Sequence, residues 1–161
     1  MKKIIEVGMA EMKIADGDSI LVTRGLGSCV GIVIYDPFKK VGALAHAMLP
    51  SQSLAKFKTN PAKFVDTVVP LMIEKLKERG ASLNNLKAKL FGGAHMFSSI
   101  PYSSAFSIGK RNVEAARKIL ASYGIEIVAE DTQGNHGRTI FFNVETGKVK
   151  VKTIFFGEKE L

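Results

Sequence analysis

A chain of 161 residues with 46% hydrophobic and 24% charged content suits one folded domain, expected to span residues 1–161, whose core needs no staple. A single cysteine excludes an internal disulfide, no apolar run approaches the ~20 residues of a membrane span, and Glu6 and Glu11 interrupt the basic opening before it can act as a secretion signal. The 23 Lys and Arg against 15 Asp and Glu give a net charge of +8, but the lysines are scattered and tryptophan is absent, which favours a basic face steering an acidic protein partner over nucleic acid. The expected setting is the cytoplasm, with no direct membrane insertion.

In chain order, strands are predicted at Ile4–Met12, Ser19–Thr23, Val30–Tyr35 and Val41–Met48. A helix follows, with Asn60 able to cap, Pro61 in its first turn and Gly80 as its stop; Phe64, Val65, Val68, Val69, Met72, Ile73 and Leu76 make its apolar face, and Pro70 interrupts it. A strand at Leu86–Phe91 precedes a second helix between Ile108 and Tyr123, on which Val113, Ala116, Leu120 and Tyr123 share a face. Three further strands are predicted at Ile125–Glu130, Thr139–Val144 and Val149–Ile154, the last two flanking the turn sequence ETGK. Two helices among about eight strands, without regular βαβ alternation, predict an α+β fold with helices covering sheet faces.

The segment TRGLGSCVGIVIYD places Cys29 on a glycine turn at the mouth of a strand. The turn around Asp36–Lys39 then leads into VGALAHAMLP, which together predict an antiparallel hairpin. A four-residue loop, Asp36 to Lys39, puts Cys29 opposite His46. A loop two residues longer puts Met48 there and leaves His46 diagonal on the same face, whereas an odd loop separates the two side chains. Such a pair suits nucleophilic chemistry: an imidazole can activate a thiol and later protonate a leaving amine. Gly25, Gly27 and Gly31 let the amides of Gly27, Ser28 and Cys29 turn toward one point as a candidate oxyanion hole, and Thr23 can hold the imidazole by its other nitrogen. The bland alternative is a buried cysteine and a packed histidine. No short ligand spacing suggests a metal, and no cofactor is expected.

Thr23-Arg24-Gly25-Leu26-Gly27-Ser28-Cys29-Val30-Gly31 followed by His46-Ala47-Met48-Leu49-Pro50 resembles the chemoreceptor glutamine deamidase family, CheD. The likeness continues through Phe64-Val65-Asp66, Val69-Pro70-Leu71, Phe91-Gly92-Gly93-Ala94, Ile108-Gly109-Lys110-Arg111-Asn112 and Gly134-Asn135-His136-Gly137-Arg138 to Thr146-Gly147-Lys148-Val149. One departure is Gln133-Gly134, where the family pattern has paired glycines. The resemblance implies a layered helix–sheet–sheet–helix core similar to the catalytic domain of cytotoxic necrotizing factor. It implies hydrolysis of glutamine side-chain amides in methyl-accepting chemoreceptors, giving glutamate and ammonia in chemotaxis adaptation. Cys29 is then the nucleophile, His46 the acid and base, and Thr23 the orienting third member. It also implies a regulatory partner, the CheC phosphatase; a mainly regulatory role and receptor methylesterase activity are the alternatives. Lys56 and Lys58, just beyond HAMLP, are expected to border the substrate mouth.

Overall fold

A computed structural model describes residues 1–56, 60–96 and 107–161. Within them the chain forms β1 (Lys3–Glu6), β2 (Met12–Asp16), β3 (Ser19–Leu26), β4 (Val30–Asp36), β5 (Val41–Ala47), α1 (Val65–Glu78), β6 (Lys87–Gly92), α2 (Ile108–Ser122), β7 (Glu126–Thr132), β8 (Arg138–Asn143), β9 (Val149–Thr153) and β10 (Gly157–Glu160). The strands make two five-stranded sheets, ordered β1-β3-β8-β9-β10 and β2-β5-β4-β6-β7. This is the expected α+β class, with ten strands where about eight were predicted. Both helices pack on the outer face of the second sheet, against β2, β5 and β4 for α1 and against β4, β6 and β7 for α2. Among the described residues the layers therefore run helix, sheet, sheet.

Side-chain alternation explains how one strand serves two interfaces. Every residue of β4 is buried. Val30, Ile32 and Ile34 join Val68, Met72, Leu120 and their neighbours under the helices. Val33 and Tyr35 point the other way and meet Leu21, Ile140 and Phe142 of the facing sheet. A strand covered on both faces has to be apolar throughout, which is why VGIVIY lacks a polar stripe.

Two boundaries depart from the sequence expectation for local reasons, and one strand was not expected at all. The predicted strand Ile4–Met12 is two strands, because the chain crosses from one sheet to the other between them and Ala10 takes a left-handed φ of 59°. The helix expected from Pro61 begins at Val65: Asn60 caps a short 3-10 turn at Pro61–Lys63, and Phe64 is held extended by a bridge to Leu49. The stop at Gly80 is as expected, its φ of 92° allowing Ala81 N–H to reach back to the Leu76 carbonyl at 3.0 Å. The unpredicted β10 reads GEKE, an exposed edge strand with no apolar face to betray it.

Candidate functional site

The hairpin turn sets the register. Asp36 pairs with Val41, leaving Pro37–Lys40 as the loop; the Asp36 carboxylate accepts from Phe38 and Lys39 N–H, and Lys40 takes φ 52°. Val30 therefore faces Ala47 and Gly31 faces His46. The loop keeps four residues but starts one residue later than Asp36–Lys39, which gives the pairing of the second permitted register: His46 lies diagonal to Cys29 on the same face, the one turned toward the other sheet. Gly31 has no side chain to spare there, since a Cβ would stand 2.9 Å from Leu26 Cδ1.

Thr23 comes from the opposite sheet. It is buried on β3, and its Oγ1 lies 2.7 Å from His46 Nδ1 and 2.6 Å from the Val7 carbonyl oxygen. A carbonyl only accepts, so the single hydroxyl proton goes to Val7. The Thr23 oxygen must then accept from Nδ1–H, which leaves His46 Nε2 as the bare lone pair. The crossing between β1 and β2 supplies this arrangement: it delivers the Val7 carbonyl, and Glu11 and Ala10 bond the backbone of His46 on either side. Nε2 is buried and has no hydrogen-bond partner among the described residues, so it makes no direct bond to the thiol.

The loop carrying Cys29 is pinned through its carbonyls. Gly27 C=O accepts from Ala94 N–H (2.8 Å), Ser28 C=O from the Asn112 side-chain amide (2.9 Å), and Cys29 C=O from Gly93 N–H (2.8 Å). In a planar trans peptide the N–H points opposite to the preceding C=O. The amides of Ser28 and Cys29 therefore face away from the groups that grip the loop, and the Cys29 N–H pulls on its own sulfur. Gly92, at φ 91°, makes the approach possible, because a Cβ there would stand 2.5 Å from the Cys29 oxygen. Upstream, a bulge between Thr23 and Leu26, with Gly25 at φ 67°, turns β3 into this loop.

Burial keeps both groups neutral at rest. It pushes the Cys29 thiol up, against the smaller pull of its amide, and holds the His46 imidazole below its usual range. Both directions favour a neutral thiol and a neutral imidazole over a standing ion pair.

Cys29 is 8% exposed and borders a cavity of about 380 Å³ with Ser28, Met48, Lys63, Met96 and Ser107. Lys63, which the sequence reading passed over, and His95 both lie on this lining. Lys56 is exposed but is not on it, and Lys58 lies outside the described residues. Asn112 is the other residue that reading left without a role. Fully buried on α2, it donates to Ser28 C=O and to Met48 C=O (3.0 Å), tying the Cys29 loop to the exit of the histidine strand. Its signal was a polar residue on the helix face otherwise marked by Val113, Ala116 and Leu120. Among the described residues no group of three His, Cys, Asp or Glu side chains converges as a metal site would require.

A CheD family model, described as chemotactic sensory transduction, matches residues 48–153. A Caldanaerobacter subterraneus subsp. tengcongensis protein named "Probable chemoreceptor glutamine deamidase CheD" is 50% identical over 98% of this chain and 97% of its own. The Halalkalibacterium halodurans "Chemoreceptor glutamine deamidase CheD" is 46% identical over the whole of both chains. Among solved structures, the Bacillus licheniformis hypothetical protein YfiH aligns at 12% identity and TM-score 0.48, covering 76% of this chain and 51% of that one. A two-sheet α+β protein with a thiol, an imidazole and a threonine hydroxyl converging between its sheets defines a candidate cysteine hydrolase. The chain belongs to the CheD family.

Proposed function

We propose that this protein hydrolyses the side-chain amide of glutamines in methyl-accepting chemoreceptors, acting in the cytoplasm through Cys29, His46 and Thr23. The observation that carries the reading is the Thr23–His46 hydrogen bond, which commits the Nδ1 proton to threonine and leaves the Nε2 lone pair free, with His46 on the same sheet face as Cys29. The family to which the chain belongs supplies the substrate class.

His46 Nε2 takes the Cys29 proton as the sulfur adds to the amide carbon, and the carbonyl π pair moves to oxygen. The amides of Ser28 and Cys29, turned away from their pinned carbonyls, stabilise that oxyanion. The imidazolium gives its proton to the amide nitrogen, the C–N bond breaks, and ammonia leaves a thioester on Cys29. Water then loses a proton to Nε2 and adds to the same carbon. The C–S bond breaks, the sulfur recovers its proton, and glutamine plus water has become glutamate plus ammonia. Thr23 holds the ring throughout, and its acceptor oxygen stabilises the transient imidazolium.

The CheC phosphatase enters as a second partner by family resemblance; a protein whose main role is to bind it needs no thioester. Acid quenching during turnover of a receptor cytoplasmic fragment tests the chemistry. The expected product is a receptor conjugate on Cys29 that hydroxylamine releases, accumulating when deacylation is the slower step. Rapid turnover with no conjugate at any quench time, in wild type and in a His46→Gln variant alike, would count against a covalent route.

A further inference from the structure

We infer that the turn Ile154–Phe155–Phe156, with the cavity beneath it, is a docking surface for the receptor helix that carries the reacting glutamine; the inference rests on the proposed deamidase reading. The three side chains are 93%, 84% and 70% exposed, consecutive, and at the tip of the β9–β10 hairpin. Turn tips are ordinarily polar or glycine, because no packing offsets apolar exposure there. The turn itself does not require these residues. It is closed by Phe156 N–H donating to Thr153 Oγ1 at 3.0 Å, with Gly157 at φ 71°.

Position distinguishes this patch from the scattered exposed apolar residues of any surface. It overhangs a cavity of about 770 Å³ whose lining includes Arg24, Gly25 and Met96. Arg24 and Gly25 directly follow Thr23, and Met96 also lines the cavity at Cys29. Met96 packs close to Gly27, where a Cβ would stand 3.3 Å from its Cγ. The two hollows are therefore neighbours across one side chain, on the face where the nucleophile opens. The lining of the larger one carries Arg24, Arg138 and Lys152, each paired with a carboxylate off the lining: Arg24 with Glu6 at 2.9 Å, Arg138 with Asp131 at 3.3 Å and Lys152 with Glu158 at 3.3 Å. Exposed apolar side chains over a hollow whose charges are already paired fit the apolar stripe of an amphipathic helix.

Such a site answers a requirement of the reaction. A glutamine side chain is small and common, so selection of one glutamine among many must come from contacts away from the reacting amide. Phe156 also leans on the His136 ring, at 4.7 Å between centroids, so the test leaves it in place.

Affinity for a fluorescent helical fragment of a chemoreceptor cytoplasmic domain is measured with Cys29→Ala protein, with and without Ile154→Ser and Phe155→Ser together. Loss of two large apolar contacts is expected to weaken binding by about tenfold or more. In the chain with Cys29 intact, the same double substitution is expected to leave the iodoacetamide rate of Cys29 unchanged, showing that the loop is undisturbed. Equal affinity with and without the pair overturns the docking surface, as does a weakened affinity accompanied by an altered alkylation rate. A wild-type protein that binds the fragment through this turn yet deamidates nothing overturns the deamidase reading and leaves the docking surface standing.

Discussion

Thr23 decides what His46 can do. With its proton spent on Val7 C=O, the hydroxyl can only accept from Nδ1–H, so tautomer and ring orientation are fixed by one side chain. The resting charge state follows from burial, which raises the thiol and lowers the imidazole. Thiolate is the form that alkylates, and a raised pKa delays its appearance as pH rises. The iodoacetamide rate of Cys29 should therefore climb with a midpoint above the about 8.5 of an ordinary cysteine. A midpoint below neutrality would mean that the resting pair is thiolate and imidazolium, contrary to the neutral pair described above.

The elements hold these residues by backbone approach more than by side-chain packing. Gly92 and Gly93 end β6 with left-handed φ and lie against the Cys29 carbonyl and the first turn of α2, while Asn112 ties Ser28 to Met48. Gly92→Ala adds a Cβ at 2.5 Å from the Cys29 oxygen in a strained conformation. Gly25→Ala meets nothing within 4 Å and bears only the left-handed φ. In chemical denaturation Gly25→Ala should cost about 1–2 kcal/mol and Gly92→Ala clearly more, since it adds a backbone collision to the same strain. Equal losses would show that the loop gives way freely and that Gly92 does not hold it. The hairpin between β4 and β5 was legible but its register and parity were not: both depend on the loop, and Lys40 at positive φ, which selects the loop, has no sequence mark. Gln133 is similar. It takes φ 67°, the left-handed region that glycine enters most readily, and nothing in the residue type signals it.

At the scale of the whole molecule, the candidate site exists because two sheets face each other. Cys29 and His46 belong to one sheet and its edge loop, Thr23 to the other, so separating the sheets dismantles the hydrogen bond that sets the base. The two helices, the turn residues and most strands were readable from periodicity. That both helices cover one sheet was not, because amphipathic faces show that something is covered and not which partner covers it. The same holds for Lys63, on the 3-10 turn whose backbone bonds Met48 and Leu49, and for Asn112 on α2, which reach the site through tertiary packing and not by nearness in sequence to Cys29. The most direct test of the account is mass spectrometry of a chemoreceptor cytoplasmic fragment after incubation with the wild-type chain or with Cys29→Ala. The expected result is conversion of specific glutamines to glutamates by the wild type alone. Conversion by both proteins, or by neither under conditions where the fragment binds, would contradict a thiol-dependent deamidase.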